Sequence, residues 1–235
     1  MLDLLAEWLG GPFFTLNLRR VNKQLHKALP APPRTRLLDL YALAAKQHSS
    51  KLAKLAHRTM LKRTGDHTPS DQHLLDEFMC DAASAGVKHL CCLAHDWGAG
   101  YYGEKWMLTR AALNGHADIV RLAWRWGVND TRNTHNIMVF GARGGHEHIC
   151  RMAKDMGDQD FDAMLVYAVE SGNTALCELA RSWGATDFGG MLHVAQALHG
   201  ASKGEKDMVQ LATKWCKESF PPITASYPRC WGVIN

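Results

Sequence analysis

Two short stretches carry residue types that could do chemistry. Gly200-Ala201-Ser202-Lys203-Gly204 has the G-x-S-x-G spacing of a serine nucleophile elbow. An elbow needs a strand, a sharp turn and a helix, with an acid and a histidine later in the chain. No strand-forming run precedes Ser202, and no paired Asp and His follow it in that order. His146-Glu147-His148 places two imidazoles around a carboxylate. A helical zinc site of this kind needs histidines at i and i+4, on one face. At i and i+2 the two rings point to different faces. There is no phosphate loop ending in Lys-Ser/Thr, and no G-x-G-x-x-G following a strand. The sequence therefore predicts no catalytic residue, no metal ligand and no cofactor, and the expectation is a protein that is not an enzyme.

Seven cysteines is an odd number, and none stands in a C-x-x-C pair. Cys91, Cys150 and Cys177 recur at one register position, where other copies carry Val120 and Val209. A position that accepts Cys or Val is a small buried apolar site. These read as reduced core thiols of an intracellular protein rather than a disulfide framework. The opening, Met1-Leu2-Asp3-Leu4-Leu5, has no basic flank, so no secretory signal is expected. No apolar run approaches the ~20 residues of a membrane span.

The elements that position these residues repeat. The clearest copy runs from Ala111-Ala112-Leu113-Asn114-Gly115-His116 through Ile119, Val120 and Ala123 to Trp126-Gly127. Placing Ala123 over Ala94, Ala153, Ala180 and Ala212 also aligns Gly115 with Gly86, Gly145, Gly172 and Gly204. A degenerate first copy has Ala56 at the anchor and His48 at the glycine position. Successive glycine-equivalent positions lie 38, 29, 30, 27 and 32 residues apart. Each copy reads as two short helices. Ile119, Leu122, Ala123 and Trp126 give the second one an apolar stripe at i, i+3, i+4 and i+7. Gly115 joins the helices, and Gly98, Gly127, Gly157 and Gly184 end the second helix. Trp97, Trp126, Trp183 and Trp215 recur at its end and are expected to cover the seam to the following copy.

Between copies, residues 99–105, 128–135 and 185–190 are rich in Gly, Asn, Asp and Thr and read as loops. Tyr101, Tyr102, Lys105, Arg132, Asn133 and Phe188 then become loop-tip candidates for partner contact. The residues just before each turn vary while the frame stays constant. They add Asn114, Arg143, Glu170 and Lys203 to the candidate partner-binding set.

The stretch 108–130, LTRAALNGHADIVRLAWRWGVND, resembles the ankyrin repeat. Residues 138–157 and 165–187 repeat its pattern, and the likeness covers roughly 37–216. The usual Thr-Pro-Leu-His opening is absent from every copy. The Trp-Gly-Ala endings and short loops resemble divergent ankyrin-like repeats of large double-stranded DNA viruses. The resemblance implies an all-α, ankyrin-like solenoid of about six helix–turn–helix repeats with N- and C-terminal caps. It implies a protein partner on the concave face, and a host cytoplasm or nucleus if the source is viral.

Residues 1–36 lie outside the repeat. Leu18, Val21, Lys23, Leu25 and Leu29 are similar to the second half of an F-box, without its Leu-Pro opening. The segment is either an N-terminal helical cap or an F-box-like module that docks on a ubiquitin-ligase scaffold. Residues 217–235 are expected to cap the last repeat.

The net charge of +4 hides an asymmetry. Residues 1–65 carry twelve Lys/Arg against three Asp/Glu, a balance of +9; the rest carry fifteen against twenty, a balance of −5. The basic part could meet nucleic acid. Few aromatics there, among them Phe13, Phe14 and Tyr41, could stack on bases, so nucleic acid is the least favoured partner. The leading expectation is a protein-binding module, with a ubiquitin-ligase adaptor as the alternative.

Overall fold

The computed structural model describes residues 34–64, 69–198 and 203–219. Among these residues there are twelve α-helices and no strand. The chain divides into two compact units, one ending at Ile137 and one beginning at Met138.

In the first unit, α1 (Arg34–Lys46) pairs with α2 (Ser50–Thr64), α3 (Pro69–Ser84) with α4 (Lys88–Asp96), and α5 (Tyr101–Leu113) with α6 (Ala117–Arg125). The first helices lie side by side in the order α1, α3, α5, and the second helices in the order α2, α4, α6. Helix α7 (Thr131–Arg143) starts in this unit and ends in the next. The second unit contains α8 (Glu147–Asp155), α9 (Phe161–Glu170), α10 (Thr174–Trp183), α11 (Phe188–Ala197) and α12 (Lys203–Ser219). There α9 pairs with α10, α11 with α12, and α9 packs beside α11.

The predicted register describes the core. Four second helices bury the anchor alanine and the residues three and four before it: Leu90, Cys91 and Ala94; Ile119, Val120 and Ala123; Ile149, Cys150 and Ala153; Leu176, Cys177 and Ala180. The first helices bury Leu74, Phe78 and Met79, then Met107 and Leu108, then Met164 and Leu165. A fully buried side chain of this size contributes roughly 1.5–3 kcal/mol before entropy is counted.

The small pairs have a second use at the turns. The carbonyl of Ala111 accepts the His116 N–H at 2.8 Å, and that of Ala112 accepts the Gly115 N–H at 3.2 Å. This pair of hydrogen bonds closes the helix only if Gly115 is left-handed, and its φ is +78°. Ala44-Ala45, Ala82-Ala83, Gly141-Ala142 and Ala168-Val169 close their turns in the same way. In the first turn His48 takes the glycine position at φ +52°, as its place in the register predicts. At the end of α6 the anchor carbonyl of Ala123 accepts the Val128 N–H at 3.2 Å, with Gly127 at φ +98°.

Three expectations are corrected. Residues 101–105, 131–135 and 188–190 are helical, not loop. Asp160 and Asp187 cap α9 and α11 by accepting the Ala163 and Gly190 N–H groups, and Asp130 accepts that of Asn133 at the start of α7. An Asp that reads as a turn former is here the helix start. The last copy also differs, because Gly204 is the second residue of α12 rather than a turn glycine. Finally, the tryptophans face the preceding copy, not the following one. Trp97 on the α4 hairpin stacks on His57 of α2, with ring centres 4.1 Å apart, and Trp126 stacks on His95 of α4 at 4.0 Å. In the second unit Trp183 meets Lys154 of α8, and Trp215 meets Arg181 of α10.

Candidate interaction surface

Helix α5 carries three exposed aromatic side chains within six residues. Tyr102 is 75% exposed, Trp106 60% and Tyr101 49%. Each other large aromatic among the described residues is buried or half-buried. Sequence reasoning found Tyr101 and Tyr102 but missed Trp106. Trp106 directly precedes the buried Met107 and has no counterpart at the helix ends where tryptophan recurs.

The start of α5 is set by its neighbour α3. Gly100 opens the helix, and its N–H donates to Asp76 Oδ1 at 2.7 Å. A Cβ added at Gly103 would lie 3.0 Å from the Asp76 Cα, so the two helices approach closely there. Burial pushes the Asp76 carboxyl above its ordinary range, with the Gly100 N–H and His73 opposing. Burial and the neighbouring Glu77 raise Asp81, which Arg110 of α5 partly offsets. The aromatic side chains of α5 therefore stand beside a helix that carries Asp76, Glu77 and Asp81.

This local sequence, Gly98-Ala99-Gly100-Tyr101-Tyr102-Gly103, also has G-x-G-x-x-G spacing. In a dinucleotide fold the motif follows a strand and its helix N-terminus receives phosphate. Here helix α4 precedes it, and the Asp76 carboxylate occupies the N–H that a phosphate would take. Each glycine has a structural use: Gly98 ends α4 at φ +96°, Gly100 starts α5, and Gly103 admits α3.

The other predicted contacts are scattered. Lys105 holds its ammonium 4.5 Å from the Tyr101 ring centre, so that ring is already engaged. Asn114 is exposed and ends α5, its amide donating to the Arg110 carbonyl at 2.9 Å. Arg132 is exposed on the first turn of α7. Arg143 and Glu170 form an ion pair at 2.7 Å between α7 and α9, a half-exposed contact worth about 0.2–1 kcal/mol. Lys203 opens α12.

Two candidates are corrected. Asn133 is 1% exposed, because capping by Asp130 fixes the first turn of α7 with this side chain inward. Phe188 is 6% exposed and meets Trp215 edge-on at 5.5 Å, with the Arg181 guanidinium over its ring. Neither can contact a partner without local rearrangement. Leu18, Val21, Lys23, Leu25 and Leu29, the 217–235 cap beyond Ser219, and Ser202 of the elbow-like motif lie outside the described residues.

Chemistry-bearing groups show no activated arrangement among the described residues. No three of His, Cys, Asp and Glu are grouped so as to hold a metal ion. Glu147, between the two histidines, pairs with Arg151 at 2.7 Å. A shallow, open groove brings together His48, Lys88, His89 and Cys92. Burial raises the Cys92 thiol, the opposite of what a nucleophile needs. Cys91, Cys150 and Cys177 are fully buried, and burial pushes each thiol up to about 12. No described helix is long and apolar enough to cross a membrane. The chain matches no protein-family model, no curated protein and no solved structure.

Proposed function

We propose that this chain is a non-catalytic, intracellular interaction module, built as an ankyrin-like solenoid, that binds a protein partner through the face formed by its first helices. The observation that carries the reading is the exposure of Tyr102 and Trp106 on α5. Large aromatics left in water on a helix that otherwise packs well mark interfaces more often than chance surface, and Trp and Tyr dominate binding energy where they are found. The stacked hairpins and the recurrent left-handed glycines support the repeat architecture. The resemblance to viral repeats favours a host or viral protein as the partner.

The test compares proteins crosslinked to the full chain in cells with those crosslinked to Tyr102→Glu/Trp106→Glu. Both side chains are exposed, so the variant's melting curve should not move. A partner lost from the variant, and only from it, is expected; an unchanged set of crosslinked proteins would overturn the reading.

The F-box-like residues Leu18, Val21, Lys23, Leu25 and Leu29 favour a second reading, a substrate adaptor. It predicts capture of a ubiquitin-ligase scaffold subunit, abolished by Val21→Asp/Leu25→Asp with the repeats still folded. No capture by the intact chain would eliminate it.

A further inference from the structure

The chain uses one contact repeatedly to join its hairpins. A tryptophan at the end of one second helix receives a stacked imidazole or a cationic side chain from the second helix before it. His57 lies on Trp97, His95 on Trp126, Lys154 on Trp183 and Arg181 on Trp215. The electron-rich ring face attracts a cation, and more strongly once water is displaced. Trp106 is different. Among the described residues no cation and no ring stands over it or over Tyr102, and it faces outward from a first helix. Tyr101, one residue before Tyr102, already holds Lys105. Tyr102 and Trp106 are one helical turn apart, so their side chains share a face of α5.

The adjoining helix supplies the complementary charge. Asp76, Glu77 and Asp81 project from α3, which touches α5 at Gly100 and Gly103. Glu77 is partly exposed and pairs with His73 at 3.5 Å. Lys105 and Arg110 are the cations on α5 itself; the first lies over Tyr101, and the second acts on Asp81 and Cys80.

From these observations we infer that Tyr102 and Trp106, with the carboxylates of α3, form a docking surface for a basic segment of the partner, one arginine or lysine side chain lying over the Trp106 ring. This rests on the proposed interaction function and names the partner's chemistry. The chain as a whole carries +4, so net charge works against a basic ligand, and any preference for one must be local.

The test measures fluorescence anisotropy of labelled dodecapeptides on the full chain: four repeats of Arg-Gly-Ser, of Glu-Gly-Ser, or of Leu-Gly-Ser. The arginine peptide should bind about tenfold more tightly than either counterpart, as one partly desolvated aromatic–cation contact would give. Trp106→Ala should weaken it about tenfold without changing the melting curve, Trp106→Phe should restore part of the loss, and Glu77→Lys should also weaken it. The inference is overturned if no peptide binds, or if the arginine peptide binds Trp106→Ala as well as wild type. A glutamate or leucine peptide that binds more tightly, and loses affinity in Trp106→Ala, overturns the basic partner while leaving the interaction face standing. Binding tightened tenfold by Arg19→Glu/Arg20→Glu/Lys23→Glu/Lys27→Glu would make the chain's own N-terminal segment the occupant, and that also overturns it. The crosslinking comparison does not depend on peptide charge, so failure of the interaction function would be seen separately.

Discussion

The ammonium of Lys154 sits 4.2 Å from the ring centre of Trp183 and 5.4 Å from that of Phe161. Arg181 stands between Trp215 and Phe188 in the same manner, at 4.8 and 5.5 Å. In register terms, the residue after one anchor alanine meets the tryptophan three residues after the next anchor. The first unit fills the same position with His57 and His95, each stacked nearly parallel on its tryptophan. A flat imidazole and a long cationic stem both cover an indole face, so the position conserves a contact rather than a residue type.

That equivalence predicts an order of substitutions. Lys154→Arg should be neutral, Lys154→Met should cost about 0.5–1 kcal/mol, and Lys154→Glu should cost more, because it turns an attraction to the ring face into a repulsion. Thermal melts of the three variants check this. Equal stability for Lys154→Arg and Lys154→Glu would mean that the contact is apolar packing only.

Burial makes a second prediction at the cysteines. Cys91, Cys150 and Cys177 occupy the position that Val120 and Val209 fill elsewhere. Each Cys→Val change should alter stability by less than about 1 kcal/mol, since size and burial are preserved. With thiols pushed up to about 12, these three should resist alkylation at pH 8 until the chain unfolds, while Cys92, half-buried, is labelled before them. Mass spectrometry after timed alkylation reads the order directly.

The turn glycines separate two effects. Gly86 and Gly172 have φ of +73° and +68°, so alanine is strained at both. A Cβ at Gly172 meets nothing within 4 Å, whereas one at Gly86 would lie 2.7 Å from His116 Cε1. That ring is held in place by the Ser84 carbonyl, 3.2 Å from its Nε2. Gly172→Ala should therefore cost about 1 kcal/mol, the conformational penalty alone. Gly86→Ala should cost clearly more, as His116 must move. Comparable melting temperatures for the two would show that the ring yields freely.

What the sequence made legible is what local periodicity controls. Ile119, Val120 and Ala123 announce a helical face because three and four residues separate them, and Gly115 announces a left-handed turn because no Cβ opposes it. What it hid depends on distant partners or on ambiguous residues. Asp130 and Asp187 suit a turn and a helix cap equally, so the first turns of α7 and α11 read as loop. Phe188 looked like a loop tip because its partner, Trp215, lies 27 residues on. The direction of the tryptophans was hidden for the same reason. Periodicity places Trp97 at a seam but cannot say whether His57 before it or a residue after it supplies the other side. Trp106 carried no periodic signal, and only its exposure reveals it.

Asp76 gives a prediction whose sign depends on pH. Its carboxyl is raised from an ordinary value of 3.8, chiefly by burial, so the folded chain holds this proton at a pH where the unfolded chain has released it. Stability from this group is therefore greatest below 3.8 and falls as pH rises through the folded value. At neutral pH the charged carboxylate is a net liability to the fold, even though it accepts the Gly100 N–H. Asp76→Asn retains an acceptor oxygen and removes the charge. The variant should melt higher than wild type at pH 7, and its advantage should shrink as pH is lowered toward 4. Melts across that range decide the matter. A variant that is less stable at pH 7 would mean that the charged bond to Gly100 outweighs the cost of burying the carboxylate, and that α5 depends on a charge at its N-terminus rather than on an acceptor alone.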